Sequence, residues 1–280
     1  MARLGENQYG KSRVRLSRIT RHGDRHDFQE WSVGVLLRGE FADSFTNADN
    51  HNILPTDTMK NTVYSVARES HAATIEEFAK ELGDYLLENH GQIDSVSVEI
   101  EEKPWKRMIV NDQPEPTTFK LEGPELQTVR ATRTRNHSWS IVSGVDGLTI
   151  LKTTKSAFEG FVRDRLTTLK PASDRILGTC ATVRWEYSTS SPPYAAVRTQ
   201  VITALMKEFA AHHSMSVQHT LFDMGKAALA AAPEIARITL IMPNLHHLLA
   251  DLSPFGQDNP NHIFVPIDEP HGYIEATVER

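Results

Sequence analysis

The residues best suited to chemistry in this sequence are its 13 histidines, because imidazole binds metals and exchanges protons near neutral pH. Their spacing does not favour a metal. His22 and His26 are four residues apart, but Gly23 and the strand-like sequence around them argue against a shared helix face. The adjacent pairs at 212–213 and 246–247 would point to opposite faces of a strand. Since the chain has one Cys and lacks the HExxH and paired CxxC patterns, we predict no metal site.

Signatures of other common ligand chemistries are also missing. The sequence contains no GxGxxG, GxxxxGK(S/T) or GxSxG pattern, so the usual signs of dinucleotide binding, triphosphate binding and nucleophile-elbow hydrolysis are lacking. Backbone amides remain as candidates. Two predicted helices begin at polar residues, one at Thr56 and Asp57 and the other at Ser216, Val217 and Gln218. Their first N–H groups either bind an anion or carbonyl oxygen, or are only capped.

Two side chains in the middle of the chain suit a flat, polar ligand. Arg175 lies where a strand is predicted to begin, and its planar guanidinium can bind an oxygen and a ring nitrogen together. The alternative for Arg175 is a surface ion pair with Asp174 or Asp164. Phe158 lies near Gly160, which indicates an irregular connection. Its ring either joins the core or stacks on a flat ligand.

Asn244 and His246 form a third candidate pair. They follow a strongly apolar predicted strand and are two residues apart, which places both side chains on one side of an extended chain. A purely structural histidine does not need such a partner.

Composition limits the class of partner. The 280 residues are 39% hydrophobic and 24% charged, with a net charge of −6 and no long block of one sign, so neither nucleic acid nor an anionic membrane is indicated. A small molecule is the favoured partner. The single Cys180 and a polar, basic N-terminus without an apolar signal segment predict a reducing, cytoplasmic location.

The hydropathy pattern of the first half predicts strand, strand, helix, helix, strand, strand. Alternating apolar residues at 11–20 and 28–38 are typical of a long antiparallel pair. Helices are predicted from Thr56 and after Thr74, which forms a capping box with Glu77. Further strands are expected at residues 95–101, 106–110 and 126–134.

The second half repeats this order. Strands are expected at residues 137–142 and 176–187, helices from Tyr194 and Val217, and strands at residues 238–242 and 273–278. Two copies of one α+β unit, each an antiparallel four-stranded sheet with two helices on one face, is the economical interpretation. Such sheets have open edges, which predicts pairing with another subunit.

Segments spread over nearly the whole chain resemble the cofactor-independent urate oxidases, or uricases. They occur in one order, which makes a chance match very improbable. The segments are NQYGK (7–11), TDTMKNTVY (56–64), GLTILK (147–152), FVRD (161–164), TTLK (167–170), DRIL (174–177), SVQ (216–218), PN (243–244) and DNPN (258–261).

This resemblance implies a fold, an assembly and a reaction. The fold would be two tandem tunnelling-fold (T-fold) units, residues 1–135 and 136–280, and a homotetramer would form a barrel with a central tunnel and active sites between subunits. The reaction would oxidise urate with O2 and water to 5-hydroxyisourate and hydrogen peroxide in purine degradation. It would need no metal or organic cofactor, with O2 as the co-substrate.

The resemblance also assigns residues to the substrate. Arg175 would bind one edge of the purine through a bidentate contact, Gln218 would bind the opposite edge, and Phe158 would stack on the ring. The backbone N–H groups of Thr56, Asp57 and Val217 would bind carbonyl and ring positions of the purine. Thr56 and Asp57 would come from the neighbouring subunit.

Catalytic groups follow from the same resemblance. Lys11, Thr56 and His246 would form a proton relay. Asn244, together with Thr56, would hold O2, or the water that attacks later, above the ring.

The chain departs from the family pattern at two places. Leu245 stands where members often have Lys, but its side chain should point away from His246, so we expect the relay to survive. The chain ends at Arg280 without the extended tail of many members or the peroxisomal Ser-Lys-Leu of eukaryotic ones. This ending is typical of a bacterial-type cytoplasmic enzyme or a trimmed chain.

Two rival functions stay open. Another T-fold enzyme acting on a purine or pterin, such as a cyclohydrolase, would need Cys and His metal ligands and would be sensitive to chelators. The lone Cys180 argues against it. A catalytically inactive purine-binding homologue would need no relay, so the presence of Lys11, Thr56 and His246 argues against that function.

Overall fold

A computed structural model describes residues 2–280 and shows an α+β fold with a large antiparallel sheet and few helices. The chain divides into two compact units. Unit 1 is Met1–Val145 with Ser190–Tyr194, and unit 2 is Asp146–Thr189 with Ala195–Arg280. Tandem T-fold units at residues 1–135 and 136–280 stay a prediction. No helix among residues 2–280 is long and apolar enough to cross a membrane.

The sheet of unit 1 is antiparallel, and the predicted pair at its start is confirmed. The first two strands pair from Tyr9↔Leu37 to His22↔Arg25. Alternate residues of the second strand, from Trp31 to Leu37, are buried, as the period of two requires. In sheet order the strands are β1 (Tyr9–His22), β2 (Arg25–Gly39), β3 (Ile93–Glu102), β6 (Leu126–Thr134) and the beginning of β7 (Ser140–Lys152).

Unit 1 contains a short helix, α1 (Ala42–Thr46), that was not predicted from the sequence. The longer helices α2 (Thr56–Glu69) and α3 (Ile75–Asn89) begin where polar signals predicted them. Thr74 and Glu77 form the predicted capping box before α3. Ile75, Phe78 and Leu82 on α3 are fully buried, and this face packs on β3 and β6.

A separate hairpin in unit 1 was predicted only in part. It consists of β4 (Trp105–Val110) and β5 (Gln113–Leu121). Asn111 and Asp112 both have positive φ, 52° and 59°, which suits a two-residue hairpin turn. The sequence pattern missed β5 because Pro114 and Pro116 cannot donate ladder hydrogen bonds and therefore argue against a strand.

In the sheet of unit 2, one long strand pairs along one edge with two successive shorter strands, an arrangement that the sequence pattern did not predict in full. Residues 182–187 of β8 (Leu177–Tyr187) pair with β9 (Ile235–Ile241), and residues 178 and 179 of β8 pair with β10 (Asn244–Leu249). The strands β9 and β10 therefore follow one another along β8, with Met242 and Pro243 between them. The strands are the end of β7, β8 (Leu177–Tyr187), β9 (Ile235–Ile241), β10 (Asn244–Leu249), β11 (Phe264–Gly272) and β12 (Glu275–Glu279).

The two long helices of the second half are α4 (Tyr194–Ala211) and α5 (Val217–Ala231). Their predicted apolar stripes, such as Val201 and Leu205 on α4 and Leu221 on α5, are buried. A 3-10 turn occurs at Ser253–Phe255. The assumption that residues 212–213 lie on a strand is wrong, because they directly follow α4.

Candidate functional site

The N-terminus of α2 presents free backbone donors at the surface of unit 1. Pro55 is the N-cap residue, and no side chain caps the helix. The first N–H groups of a helix have no intrahelical acceptor, and both Thr56 and Asp57 are exposed. The two residues therefore offer backbone N–H groups in the positive end of a helix dipole.

The side chain of Asp57 is committed to its own helix. Its carboxylate accepts hydrogen bonds from Lys60 Nζ at 2.5 Å and Asn61 Nδ2 at 3.2 Å. The hydrogen bond and charge of Lys60 lower the pKa of Asp57, with a smaller contribution from the charge of Lys11. The group that Asp57 leaves free for a ligand is its backbone N–H.

Tyr9 fixes the loop that leads into α2, and the sequence analysis did not single it out. Its hydroxyl accepts from Leu54 N at 2.8 Å and donates to Leu54 O at 3.2 Å. The Tyr9 ring packs edge-on against Phe41, with centroids 4.7 Å apart. The only sequence signal was its place beside Lys11 in the first family-like segment. Unit 1 thus brings Lys11 and the first turn of α2 together through Tyr9.

In unit 2, an irregular segment before β8 carries the aromatic candidate. Phe158 N donates to Ala172 O at 2.8 Å, and Ala172 N donates back to Phe158 O at 3.1 Å. The Asp174 carboxylate accepts from Thr154 Oγ1 at 2.6 Å and Ser156 N at 3.2 Å, and these bonds lower the pKa of Asp174. The irregular connection expected here is confirmed, and hydrogen bonds fix the segment near its beginning and its end.

Arg175 lies over this aromatic residue as a cation without a carboxylate partner. Its Cζ is 5.3 Å from the centre of the Phe158 ring. Within residues 2–280, the Asp174 carboxylate binds Thr154 and Ser156, and the Asp164 carboxylate binds Leu166 and Thr167, so neither pairs with the Arg175 side chain. The Nε of Arg175 is buried without a hydrogen-bond partner in this part of the chain. Burial lowers the pKa of Arg175, but a guanidinium stays charged at neutral pH. The alternative of a surface ion pair is therefore wrong, and the charge is available to an anion.

The N-terminus of α5 is held next to Phe158. Ala157 N donates to Ser214 O at 2.7 Å, and Ser214 N donates to Lys155 O at 2.9 Å. Ser216 caps the helix by accepting from His219 N at 3.1 Å. This cap does not use the N–H groups of the first two helical residues, so the backbone of buried Val217 and of exposed Gln218 can face a ligand.

The pair on β10 joins the same neighbourhood. Asn244 Nδ2 is 3.5 Å from His246 Nδ1, which confirms that the two side chains lie on one side. Burial lowers the pKa of His246 first, followed by the positive charge of Arg175 and then His271. His246 is therefore a neutral imidazole at pH 7, able to accept a proton.

Each unit assembles its own share of the predicted residues. Unit 1 holds Lys11, Thr56 and Asp57, and unit 2 holds Phe158, Arg175, Val217, Gln218, Asn244 and His246. The share in unit 2 combines an aromatic face, an unpaired guanidinium, helix N–H groups, an amide and a neutral imidazole. Such a set suits a planar anion with several carbonyl oxygens.

Comparisons with known proteins agree with this chemistry. The profile of the family described as uricase matches residues 7–132 and 141–275. Uricase from Arthrobacter globiformis is 42% identical over 277 residues, 99% of this chain and 90% of that protein. Uricase from Dictyostelium discoideum is 37% identical over 282 residues, 100% of this chain and 98% of that protein.

Solved structures are similar over the same length. The crystal structure of uricase from Arthrobacter globiformis has a TM-score of 0.95 at 42% identity and covers 100% of this chain and 96% of that one. A urate oxidase structure from Bacillus sp. TB-90, 22% identical, has a TM-score of 0.85 and covers 98% of this chain and 100% of that one, so the fold is shared there too. The chain belongs to the uricase family.

Proposed function

We propose that the protein is a urate oxidase, which converts urate, O2 and water into 5-hydroxyisourate and hydrogen peroxide in purine degradation. Family membership over the whole chain supports an oxidoreductase acting on urate. The observation that carries the proposal is the unpaired guanidinium of Arg175 over the Phe158 ring, in the neighbourhood of a neutral His246. Urate is a planar anion, and these groups match its charge, shape and need to lose a proton.

The proposed binding mode uses groups on several sides of the purine. Phe158 stacks on the ring face, Arg175 donates two hydrogen bonds to one edge, and Gln218 binds the opposite edge. The backbone N–H groups of Thr56, Asp57 and Val217 bind carbonyl and ring positions. The engagement of the Asp57 carboxylate by Lys60 supports a backbone role for Asp57.

The chemistry demands an electron-rich substrate. Reaction of triplet O2 with a closed-shell molecule is spin-restricted, so urate must act as a one-electron donor, and loss of two protons makes it one. Arg175 and the oriented N–H dipoles stabilise that anion. Two electrons then pass from urate to O2, two protons complete hydrogen peroxide, and water adds to the oxidised ring to give 5-hydroxyisourate.

The proton transfers are assigned to three residues. Lys11 acts through the Thr56 hydroxyl, and His246 completes the relay as a neutral imidazole. Asn244, 3.5 Å from His246, holds O2 or the attacking water above the ring with Thr56. A positioned base of this kind contributes about 10² to 10⁴ in rate.

The proposed assembly is a homotetramer of tandem T-fold units, residues 1–135 and 136–280, that encloses a central tunnel. Thr56 and Asp57 reach the site of a neighbouring copy. Their exposure on the surface of unit 1 and the free N–H groups of the uncapped α2 support this arrangement. After the larger effect of Lys60, the charge of Lys11 also lowers the pKa of Asp57. Lys11 would therefore enter the same site as Asp57, from the neighbouring copy.

The reaction is proposed to need no metal or organic cofactor, because the substrate dianion itself supplies the electrons. The single Cys180 supports a reducing, cytoplasmic location. The competing function is that of an inactive purine-binding homologue. It would keep Phe158, Arg175 and Gln218 but would have no use for Lys11.

One experiment separates these functions. Chelator-treated protein is mixed with urate in air-saturated buffer, and urate absorbance, O2 uptake and peroxide are followed together. We expect urate loss matched by O2 uptake and peroxide, undiminished by the chelator. Binding of urate without consumption of O2 would replace the proposal with the binding homologue. Activity lost to the chelator and restored by a metal would refute the cofactor-free reaction.

A further inference from the structure

A cluster of ligating side chains lies in unit 2 at the junction of α4 and α5, and none of its members is among the residues assigned to urate. His212 directly follows α4, and His219 and Asp223 are one turn apart on α5. One ligating atom from each lies within 4.8 Å of the other two. The sequence alone does not indicate this cluster, because His212 is separated from His219 and Asp223 by the turn between two helices.

The distances in the cluster match those between ligands of one metal ion. His212 Nδ1 is 3.4 Å from Asp223 Oδ2, and His219 Nε2 is 3.2 Å from the same oxygen. Zinc binds nitrogen and carboxylate oxygen at about 2.0–2.2 Å. Tetrahedral geometry then separates neighbouring ligand atoms by about 3.3–3.6 Å, given those bond lengths.

The environment of His212 favours a ligand. Its side chain is only 9% exposed. The two rings also meet edge to face, with the centroids of His212 and His219 4.6 Å apart, so both imidazoles lie beside the same carboxylate.

Three further charges surround the cluster. Glu208 Oε1 is 3.8 Å from His212 Nδ1 and can supply a further carboxylate ligand. Lys226 Nζ is 3.3 Å from Asp223 Oδ1 and competes with a cation for that carboxylate. Lys152 Nζ donates a hydrogen bond to the backbone carbonyl of His212 at 2.5 Å. The ammonium of Lys152 is therefore held at the end of α4 by a backbone oxygen.

We propose that His212, His219 and Asp223 form a binding site for a divalent transition metal ion, with Zn²⁺ the best match, that links the end of α4 to the first turns of α5. The ligand set of two imidazoles and a carboxylate is typical of Zn²⁺, Co²⁺, Ni²⁺ and Cu²⁺. The ion is structural, and the oxidation of urate does not depend on it. The proposal therefore stands or falls separately from the proposed function.

The test uses Co²⁺ as a spectroscopic probe in the full-length, chelator-treated protein without a histidine tag. We expect saturable binding of about one Co²⁺ per chain with the visible absorption of a tetrahedral site, displaced by Zn²⁺. His219→Gln and Asp223→Asn should weaken binding by about tenfold or more, since even the loss of outer-shell groups costs about that much. His213→Gln is the matched control, because His213 is exposed and outside the cluster.

A fourth variant tests the site in the opposite direction. Lys226 is 59% exposed on its side chain, so Lys226→Gln should leave the fold intact while freeing Asp223, and Co²⁺ should bind several-fold more tightly. The proposal is overturned if the wild-type protein shows no saturable binding, or if folded His219→Gln binds as well as wild type. Loss of Co²⁺ binding in His213→Gln would place the ion outside the proposed site and would also overturn the proposal.

Discussion

The guanidinium of Arg175 lies 5.3 Å from the centre of the Phe158 ring. The two residues are joined by neighbouring contacts, because the Asp174 carboxylate binds the Ser156 N–H while Phe158 pairs with Ala172. A cation over an aromatic face with no carboxylate partner retains its charge for a ligand. Burial is the main cause of the lowered pKa of His246 and the charge of Arg175 adds to it, so Arg175 contributes to both the anion site and the neutral base.

Lys11→Ala and Arg175→Ala should separate turnover from binding. Lys11→Ala should reduce kcat by about 10² to 10⁴ and leave urate affinity nearly unchanged, because Lys11 is assigned to proton transfer. Arg175→Ala should reduce both kcat and urate affinity, because it removes the charge that stabilises the urate anion. Anaerobic urate binding and aerobic turnover measure the two effects. Comparable losses of affinity in both variants would contradict the division.

Tyr9→Phe should loosen the loop that leads to Thr56. It removes both hydrogen bonds to Leu54 and leaves a backbone N–H without its partner, which we expect to cost about 1–2 kcal/mol of unfolding free energy. The kcat/KM for urate should fall as well. Tyr85→Phe, on the exposed side of α3, is the control for urea unfolding and kinetics. A Tyr9→Phe protein with wild-type kcat/KM would show that the loop does not need this anchor.

Stability should decrease as the pH falls below about 6.5. Burial is the first cause of a lowered pKa at His90, His212 and His246, so the unfolded chain, with histidine pKa values near 6.5, binds more protons than the folded one in this range. The free energy of unfolding then rises with pH. Carboxylates whose pKa is lowered stay ionised in both states here and add little.

Urea midpoints at about pH 7.5 and pH 5.5, measured with a chelator present, check this dependence. His246→Gln should reduce the difference between the two midpoints, because one group that protonates only on unfolding is removed. A midpoint that rises on acidification, or an unchanged difference in His246→Gln, would show that these histidines do not govern the dependence.

Gly83→Ala should destabilise unit 1. An added Cβ at Gly83 would lie 2.2 Å from Cη2 of the Trp139 ring, and this ring is held by its hydrogen bond to Asp84 at 3.2 Å. We expect a cost of about 1–3 kcal/mol from overpacking, larger than the helix propensity that Ala gains. Gly91→Ala has open space around its Cβ and should change the urea midpoint little. Equal midpoints for the two variants would contradict this packing argument.

Local patterns determined much of this protein from the sequence alone. The alternation before and after Gly23 predicted β1 and β2, and the Thr74–Glu77 capping box predicted the beginning of α3. Both depend on neighbours within a few residues, where periodicity and capping chemistry act. The family-like segments indicated the candidate residues, because their order along the chain needs no knowledge of contacts.

The tertiary structure alone decided which residues meet. The bonds of Tyr9 to Leu54 join residues that are separated in sequence by β1, β2 and α1. The approach of Arg175 to Phe158 spans an irregular segment. The cluster of His212 with Asp223 depends on a turn between two helices. No period or local hydrogen bond encodes such contacts, because they arise when apolar faces of separate elements pack together. The sequence therefore determined most of the elements and the candidate residues for urate, and packing determined which residues meet.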